Sequence, residues 1–275
     1  MSKQKQKQQA EVPVAGMDMA GVGGFVGRLR GREVLVGYWV AVDHPVVTER
    51  LGRLGFDYVG VDGQHGVLGV EGWQTAMLAV DAGGVSAGLI RVPSVDPVLI
   101  GAALDVGARG VIVPMVESAA EALVAVRACR HAPVGTRSVS GPVRGALRLG
   151  EVPGVVDEGV ACVVMVETRG ALEELEGICG TPGLDAVYVG PADLSVALGG
   201  RWFGDPLVEG VLEEALERVV RMAERFGIGC GIHVADGESA ARRLAQGFTF
   251  ATVSSDLTHV EQAAAAHLAV ARAAG

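Results

Sequence analysis

Lysine is nearly missing from this 275-residue chain. Lys3, Lys5 and Lys7 are the only three, and all lie in the polar opening "MSKQKQKQQA". From residue 8 onward no ammonium side chain can condense with a carbonyl. An imine with a carbonyl substrate, a lysine-bound pyridoxal phosphate and a Walker A lysine are therefore all excluded. Any carbonyl chemistry must use another electron sink. With the lysines set aside, 20 arginines face 32 acids, an excess of 12 negative charges. Nucleic acid and anionic membrane are poor partners for such a body. No charge-free apolar stretch approaches the ~18 residues of a membrane span. The opening also lacks the apolar core of a secretory signal, and residues 1–20 read as a disordered tail, so a cytoplasmic protein is expected. No G-x-S-x-G elbow occurs. The "GYWVAVDHP" segment that ends the first apolar run carries no glycine-rich phosphate loop, which argues against NAD. The four cysteines (Cys129, Cys162, Cys179, Cys230) form no C-x-x-C pair and read as reduced, buried small hydrophobes.

What is present alternates. Hydrophobic residues make up 49% of the chain, and eight short Val- and Ile-rich runs recur at 34–40, 58–62, 88–92, 110–116, 162–167, 186–190, 228–234 and 250–255. Their nearly continuous apolarity fits strands buried on both faces. Segments with helical spacing separate them. "DPVLIGAALDVG" carries Asp96 as cap, Pro97 in the first turn and Gly107 at the end, and "PVVTERLGRLG" starts at Pro45 and closes at Gly55. "DPLVEGVLEEALERVVRMAERFG" (205–227) repeats the Asp-Pro start. "SAAEALVAVRACR", "GALEELEGICG" and an Ala-rich C-terminal helix complete the set. Eight β–α units predict a (β/α)8 TIM barrel, an α/β fold, as one domain over residues 21–275 with an extra C-terminal helix. Residues 132–160 form the one long irregular insertion, and loops of that size are usually functional or disordered.

In such a barrel the chemistry collects at the C-terminal strand ends. The first run offers Trp39. The second ends in Asp62, Gln64 and His65, the third in Arg91, the fourth in Pro114, the fifth in Glu167, and the sixth leads to Asp193. Taken singly, each has an ordinary explanation: a polar turn, a helix-terminal carboxylate, a cap, an ion-pair partner or a core histidine. One imidazole, one guanidinium and three carboxylates converging on one rim need partners or a metal. Glu167 and Asp193 supply two hard oxygens suited to Mg2+ or Mn2+, with water and a chelating ligand completing the shell. His44, His131, His233, His259 and His267 lack ligand-spaced neighbours and read as surface or packing residues.

The segments "FDYVGVDGQHG", "IRVPSVDP", "LDVGARGVIVPMVESAAEA", "GTRS", "VMVETRGAL" and "VYVGPADLS" together resemble the HpcH/HpaI aldolase family, in the same order from about Gly37 to Asp256. The resemblance implies a metal-dependent aldolase that reversibly cleaves a 4-hydroxy-2-oxo acid into pyruvate, or a homologue, and an aldehyde. It implies Glu167 and Asp193 as ligands of Mg2+ or Mn2+, with Co2+ also possible, and Arg91 as the group on the oxo-acid oxygens. His65 would be the acid/base and Asp62 its orienting carboxylate, with Asp105 a further candidate to support the histidine. Gly190, Pro191, Ala192 and Asp193 would receive the substrate carboxylate at a helix start. It also implies a homohexamer, a trimer of dimers exchanging the C-terminal helix.

Two positions depart from the family pattern. Gln64 stands where many members have Glu, and Met165 stands where well-known members have Gln, on the same strand face as Glu167. Met165 calls for a larger or more apolar 2-oxo acid. Trp39, His44 and the 132–160 loop are the places where aldehyde choice is expected to lie. Two other classes compete. A citrate-lyase-β-like enzyme would need an arginine-rich surface for an acyl-CoA thioester, which "RSVSGPVRGALR" (137–148) could provide; a non-enzymatic barrel would bind metal and oxo acid without turnover.

Overall fold

All eight apolar runs form strands. In the computed structural model, which describes residues 19–273 apart from Asp43 and Pro142, these are β1 (Leu35–Val40), β2 (Tyr58–Asp62), β3 (Ala87–Arg91), β4 (Gly110–Val113), β5 (Ala161–Val166), β6 (Ala186–Val189), β7 (Gly229–Val234) and β8 (Phe250–Ser255). They pair in parallel, in chain order, into a closed barrel with β8 returning to β1. A parallel neighbour requires a crossover. α2 (Pro45–Gly52), α3 (Val70–Gly83), α4 (Pro97–Asp105) and α5 (Ala119–Cys129) provide the first four. Between β4 and β5 the chain adds α6 (Arg144–Leu149) and α7 (Pro153–Glu158). α8 (Arg169–Glu173) and α9 (Leu175–Cys179) lead to β6, and α10 (Pro191–Ala197) and α11 (Glu209–Phe226) to β7. α12 (Gly237–Ala245) leads to β8, and α13 (Asp256–Ala273) closes the described chain.

Strand parity separates the apolar side chains into two cores. Val40, Val59, Val61, Ile90, Val111, Val164 and Val187 face outward and pack under the helices. Leu35, Tyr58, Leu89, Ile112, Val163, Met165, Tyr188 and Phe250 face inward and fill the barrel. Large rings inside are matched by missing side chains on neighbouring strands: a Cβ on Gly37 would stand 2.1 Å from Tyr58 Cζ, and one on Gly231 would stand 2.1 Å from Phe250 Cε2. The bottom of this inner core is closed by α1 (Met19–Arg30), whose Phe25, Val26 and Leu29 join it. The Arg30 guanidinium anchors that helix by donating to Asp185 at 2.6 Å. Removing a fully buried side chain of this size to Ala typically costs about 2–5 kcal/mol.

The local signals mostly act as read. The Asp96 carboxylate accepts from the Val98 amide with Pro97 opening α4, and Ser118 accepts from Glu121 at the start of α5. Four expectations need correction. The Asp-Pro pair at 205 does not open α11, which begins at Glu209. Asp205 instead takes the Arg201 guanidinium and the backbone amides of Arg201 and Leu207, tying a turn. The 132–160 insertion is not simply irregular, since it carries α6 and α7. "GALEELEGICG" breaks at Glu174 into α8 and α9. α1 has no counterpart in the sequence reading; residues 1–18 of the expected tail lie outside the described residues. The four cysteines are buried and unpaired. No helix among the described residues is long and apolar enough to cross a membrane. From Leu257 to Ala273 every residue of α13 is exposed.

Candidate active site

Inward parity brings Asp62, Arg91 and Glu167 to the upper layer of the barrel, above Tyr58, Leu89 and Met165 on the same strands. Over them lies a cavity of ≈ 480 Å³, walled on one side by Trp39, Asp62, His65 and Arg91 and on the other by Met165 and the stretch from Gly190 to Asp193. Within one chain, nine of the residues singled out from the sequence therefore share one space.

Asp62 organises its near wall. Its carboxylate accepts from Arg91 twice, Nε at 3.0 Å and Nη2 at 2.6 Å, from the Trp39 indole at 3.2 Å, and from the amides of Gln64 and His65 at 3.0 and 3.1 Å. Burial by itself pushes this carboxyl upward. The Arg91 bonds and charge, the His65 amide and the indole outweigh it and hold the carboxyl below its ordinary value. The expectation that Asp62 orients the His65 ring is corrected here. Asp62 fixes the His65 backbone and grips Arg91, while the imidazole reaches into the cavity without a protein hydrogen bond among the described residues. Arg91 lies with its Cζ 5.1 Å from the Trp39 ring centroid. Its Nη1 has no partner among the described residues and is the nitrogen available to a ligand.

Asp193 stands on the far wall, and Glu167 lies behind it, beside Gly190, and does not itself line the cavity. Glu167 is 2% exposed; its Oε1 accepts from the Met115 amide at 2.8 Å, and its Oε2 is buried with no hydrogen-bond partner. Met115, with φ 55, is one of the non-glycine residues in the left-handed region, so backbone strain places that amide. Burial, and then the charge of neighbouring Asp193, raise the Glu167 carboxyl above its ordinary value. A Cβ on Gly190 would come within 2.5 Å of Oε2, so the glycine keeps the space beside it free. An orphaned, buried carboxylate oxygen beside a second carboxylate fits a hard divalent cation. Among the described residues no group of three or more His, Cys, Asp or Glu that could hold a metal ion forms.

Other expected residues fall elsewhere. Asp105 ends α4, on the side where the chain turns back into β4, and pairs with Arg137 at 3.2 Å; within one chain it does not support His65. The Gln64 side chain and His44 do not line the cavity, and neither does the 132–160 segment, so of the three expected determinants of aldehyde choice only Trp39 is present. The arginines of 137–148 are engaged: Arg137 with Asp105, and Arg144 and Arg148 with Asp81.

Sequence reasoning misses several wall residues, His233 and Ser254 among them. His233, read as a surface or packing residue, lines the cavity edge-on to Trp39 at 5.6 Å. Burial, and then the nearby Arg91 charge, lower its imidazole to about 4, so it is neutral in ordinary buffers. Ser254 lines the same wall from β8. Parity was the available signal, since His233 follows Gly231 on the inward face and Ser254 follows Thr252.

A family model described as HpcH/HpaI aldolase/citrate lyase matches residues 35–263. The 5-keto-4-deoxy-D-glucarate aldolase of Salmonella paratyphi C is 34% identical over 236 residues, covering 85% of this chain and 90% of the relative. Among solved structures, an HpcH/HpaI aldolase/citrate lyase family protein from Burkholderia cenocepacia J2315 superposes with a TM-score of 0.83 at 32% identity, covering 91% of this chain and 99% of its own. An HpcH/HpaI aldolase from Desulfitobacterium hafniense DCB-2 gives 0.80 at 25% identity, covering 90% and 95%.

Proposed function

The chain belongs to the HpcH/HpaI aldolase/citrate lyase family, metal-dependent carbon–carbon lyases acting on 2-oxo acids, and we propose that it cleaves a 4-hydroxy-2-oxo acid reversibly into pyruvate, or a homologous 2-oxo acid, and an aldehyde. The observation that carries this reading is the Glu167 Oε2 atom, buried without a partner beside Asp193 at the top of the barrel. Glu167 and Asp193 would hold Mg2+ or Mn2+, with Co2+ an alternative. The ion, when bound, supplies Lewis-acid stabilisation of the negative charge that develops next to the carbonyl.

The chain's own groups account for the rest. Arg91, fixed by two bonds to Asp62, presents Nη1 to the oxo-acid oxygens and adds a positive charge where negative charge accumulates. The amides of Ala192 and Asp193, at the start of α10 after Gly190 and Pro191, receive the substrate carboxylate. His65, held through its backbone, takes the proton of the 4-hydroxyl in cleavage and returns it in condensation. Met165 and Trp39 give the oxo acid an apolar floor and side, so a homologue with an alkyl group is accommodated where a polar one is not. With no lysine beyond Lys7, no covalent imine forms. We place this catalytic unit in residues 21–275, in the cytoplasm, and as a homohexamer, a trimer of dimers. The exposed Leu257, Val260, Leu268 and Val270 of α13 support an exchanged helix.

The test is Glu167→Gln, with Mn2+ binding read by electron paramagnetic resonance and pyruvate release read enzymatically. Mn2+ affinity falls at least ~100-fold, EDTA abolishes wild-type turnover, and borohydride with pyruvate traps no adduct. Wild-type Mn2+ affinity in the variant, or a borohydride-trapped adduct, overturns the reading.

A further inference from the structure

The lower face of the barrel, at the strand ends opposite the cavity, gathers three arginines around one carboxylate. Asp81 lies near the end of α3, before β3; its Oδ2 takes Arg144 and its Oδ1 takes Arg148, both from α6. Arg109, the residue before β4, donates from Nη2 to the Arg148 carbonyl at 3.1 Å and has no ion-pair partner among the described residues. All four are largely out of water. Arg109 is 3% exposed, and the side chains of the other three are at most 15% exposed.

Three positive charges thus meet one negative charge, an excess of two, in a chain whose net charge is −9. By contrast, buried Arg91 has Asp62 to itself and buried Arg137 has Asp105. The imbalance registers on Arg109, whose guanidinium is pushed down to about 10, first by burial and then by the charge of Arg148, with Asp81 opposing. Arg148 is lowered too, by burial first, which Asp81 opposes and Arg144 reinforces. Like charges held together out of water need an anion to offset them.

Donors remain to receive one. Arg148 meets Asp81 through Nη2, and its Nε and Nη1 have no protein hydrogen bond among the described residues. Arg144 uses Nη1 and Nη2 on the Val106 and Met77 carbonyls and on Asp81, which leaves Nε. Both side chains keep an edge in solvent. Arg109 Nε is buried without a partner, so Arg109 adds charge from behind rather than a contact. An excess of two matches a phosphate group, which carries about −1.5 to −2 near neutrality, whereas one carboxylate would offset only half of it. Guanidinium donors also suit phosphate oxygens in geometry.

We propose that Arg144 and Arg148, backed by Arg109, form a phosphate-binding site on the lower face of the barrel, for inorganic phosphate or the phosphate group of a small phosphomonoester. The site lies at the opposite strand ends from Glu167 and Asp193 and is independent of the aldolase reading. Because α6 belongs to the insertion between β4 and β5, an occupied site fastens that insertion to α3.

The experiment titrates the full chain with inorganic phosphate, glycerol 3-phosphate and acetate by calorimetry in chloride buffer. Acetate binds at least ~10-fold more weakly than phosphate, because it leaves one positive charge unmatched. Saturation by inorganic phosphate assigns the free ion, and saturation by glycerol 3-phosphate alone assigns an organic phosphate; both support the site. In Arg148→Gln phosphate affinity falls at least ~10-fold, the loss expected for a charged hydrogen bond. Its melting temperature without phosphate holds or rises, since one of three crowded charges is gone, whereas an arginine with a purely structural role would lower it. At a hundredfold excess over the wild-type Kd, phosphate raises the wild-type melting temperature by roughly 5–11 °C, and raises that of Arg148→Gln by about half as much or less. Arg144→Gln provides a second variant with the same loss of affinity. No saturable phosphate binding by the wild type, unchanged affinity in both variants, or acetate binding as tightly as phosphate overturns the proposal.

Discussion

Replacing Asp62 with Asn removes one charge and little volume, and it strikes the most connected group in the cavity. Asp62 and Arg91 have side chains 6% and 10% exposed, and their closest contact is 2.6 Å. The asparagine amide, whichever way it is turned, presents its own donors to existing ones: to Arg91 Nη2 and the Trp39 indole, or to Arg91 Nε and the amides of Gln64 and His65. The guanidinium is left buried and uncompensated, which costs about 3–5 kcal/mol. At ~2–4 °C per kcal/mol for a chain of this size, the melting temperature falls by roughly 6–20 °C. Thermal unfolding followed by circular dichroism, without metal or substrate, measures this, and pyruvate release falls on the order of 100-fold as Arg91 loses its alignment. A second variant separates the buried pair from mere packing. Asp62→Asn combined with Arg91→Gln removes both charges and recovers much of the lost stability, though none of the activity. A single variant melting within about 2 °C of wild type, or a double variant melting at the sum of both losses, refutes the account of Asp62 as Arg91's counter-ion.

Two further outcomes follow from the cavity walls. Gly190→Ala sets a methyl 2.5 Å from Glu167 Oε2 and 3.0 Å from Met165 Cε, and because Oε1 is held by the Met115 amide the carboxylate cannot simply swing aside; at about 1–3 kcal/mol of overpacking, Mn2+ affinity drops ~5–150-fold by titration, and unaltered binding shows that Oε2 does not face the ion. His233 sits at about 4 when folded and near ~6.5 when unfolded, so its neutral form favours the fold fully above ~6.5 and this contribution is lost as pH falls toward 4. Relative to His233→Gln, wild-type stability measured by urea denaturation therefore declines by up to ~3 kcal/mol across that window, and a constant difference between the two proteins would show that the ring is not buried neutral.

Most of the barrel was legible because both-face burial leaves unbroken Val and Ile runs, and because Asp96 and Ser118 cap their helices locally. The polar strand ends were legible too, since Asp62, Arg91 and Glu167 close apolar runs where nothing else demands a charge. What escaped depends on partners that the local pattern does not reveal. The glycine-rich stretch before Arg28 looks like turn material, and only the open barrel bottom makes it a helix. Asp205 resembles a cap until Arg201, four residues earlier, claims it. Asp62 looks like a partner for His65 at close sequence range, but Arg91, 29 residues on, binds it more strongly. His233 was discounted for lacking ligand-spaced neighbours, a criterion blind to parity.

With Phe25, Val26 and Leu29 stoppering the lower end, the barrel is a cup rather than a tunnel. In the proposed reaction both halves of the carbon skeleton would then enter and depart by one doorway. An oxo acid seated on the floor at Met165 and Gly190 would arrive before the aldehyde and leave after it. Whatever narrows that doorway, including the half-exposed Phe203 at its edge, governs both traffic directions alike.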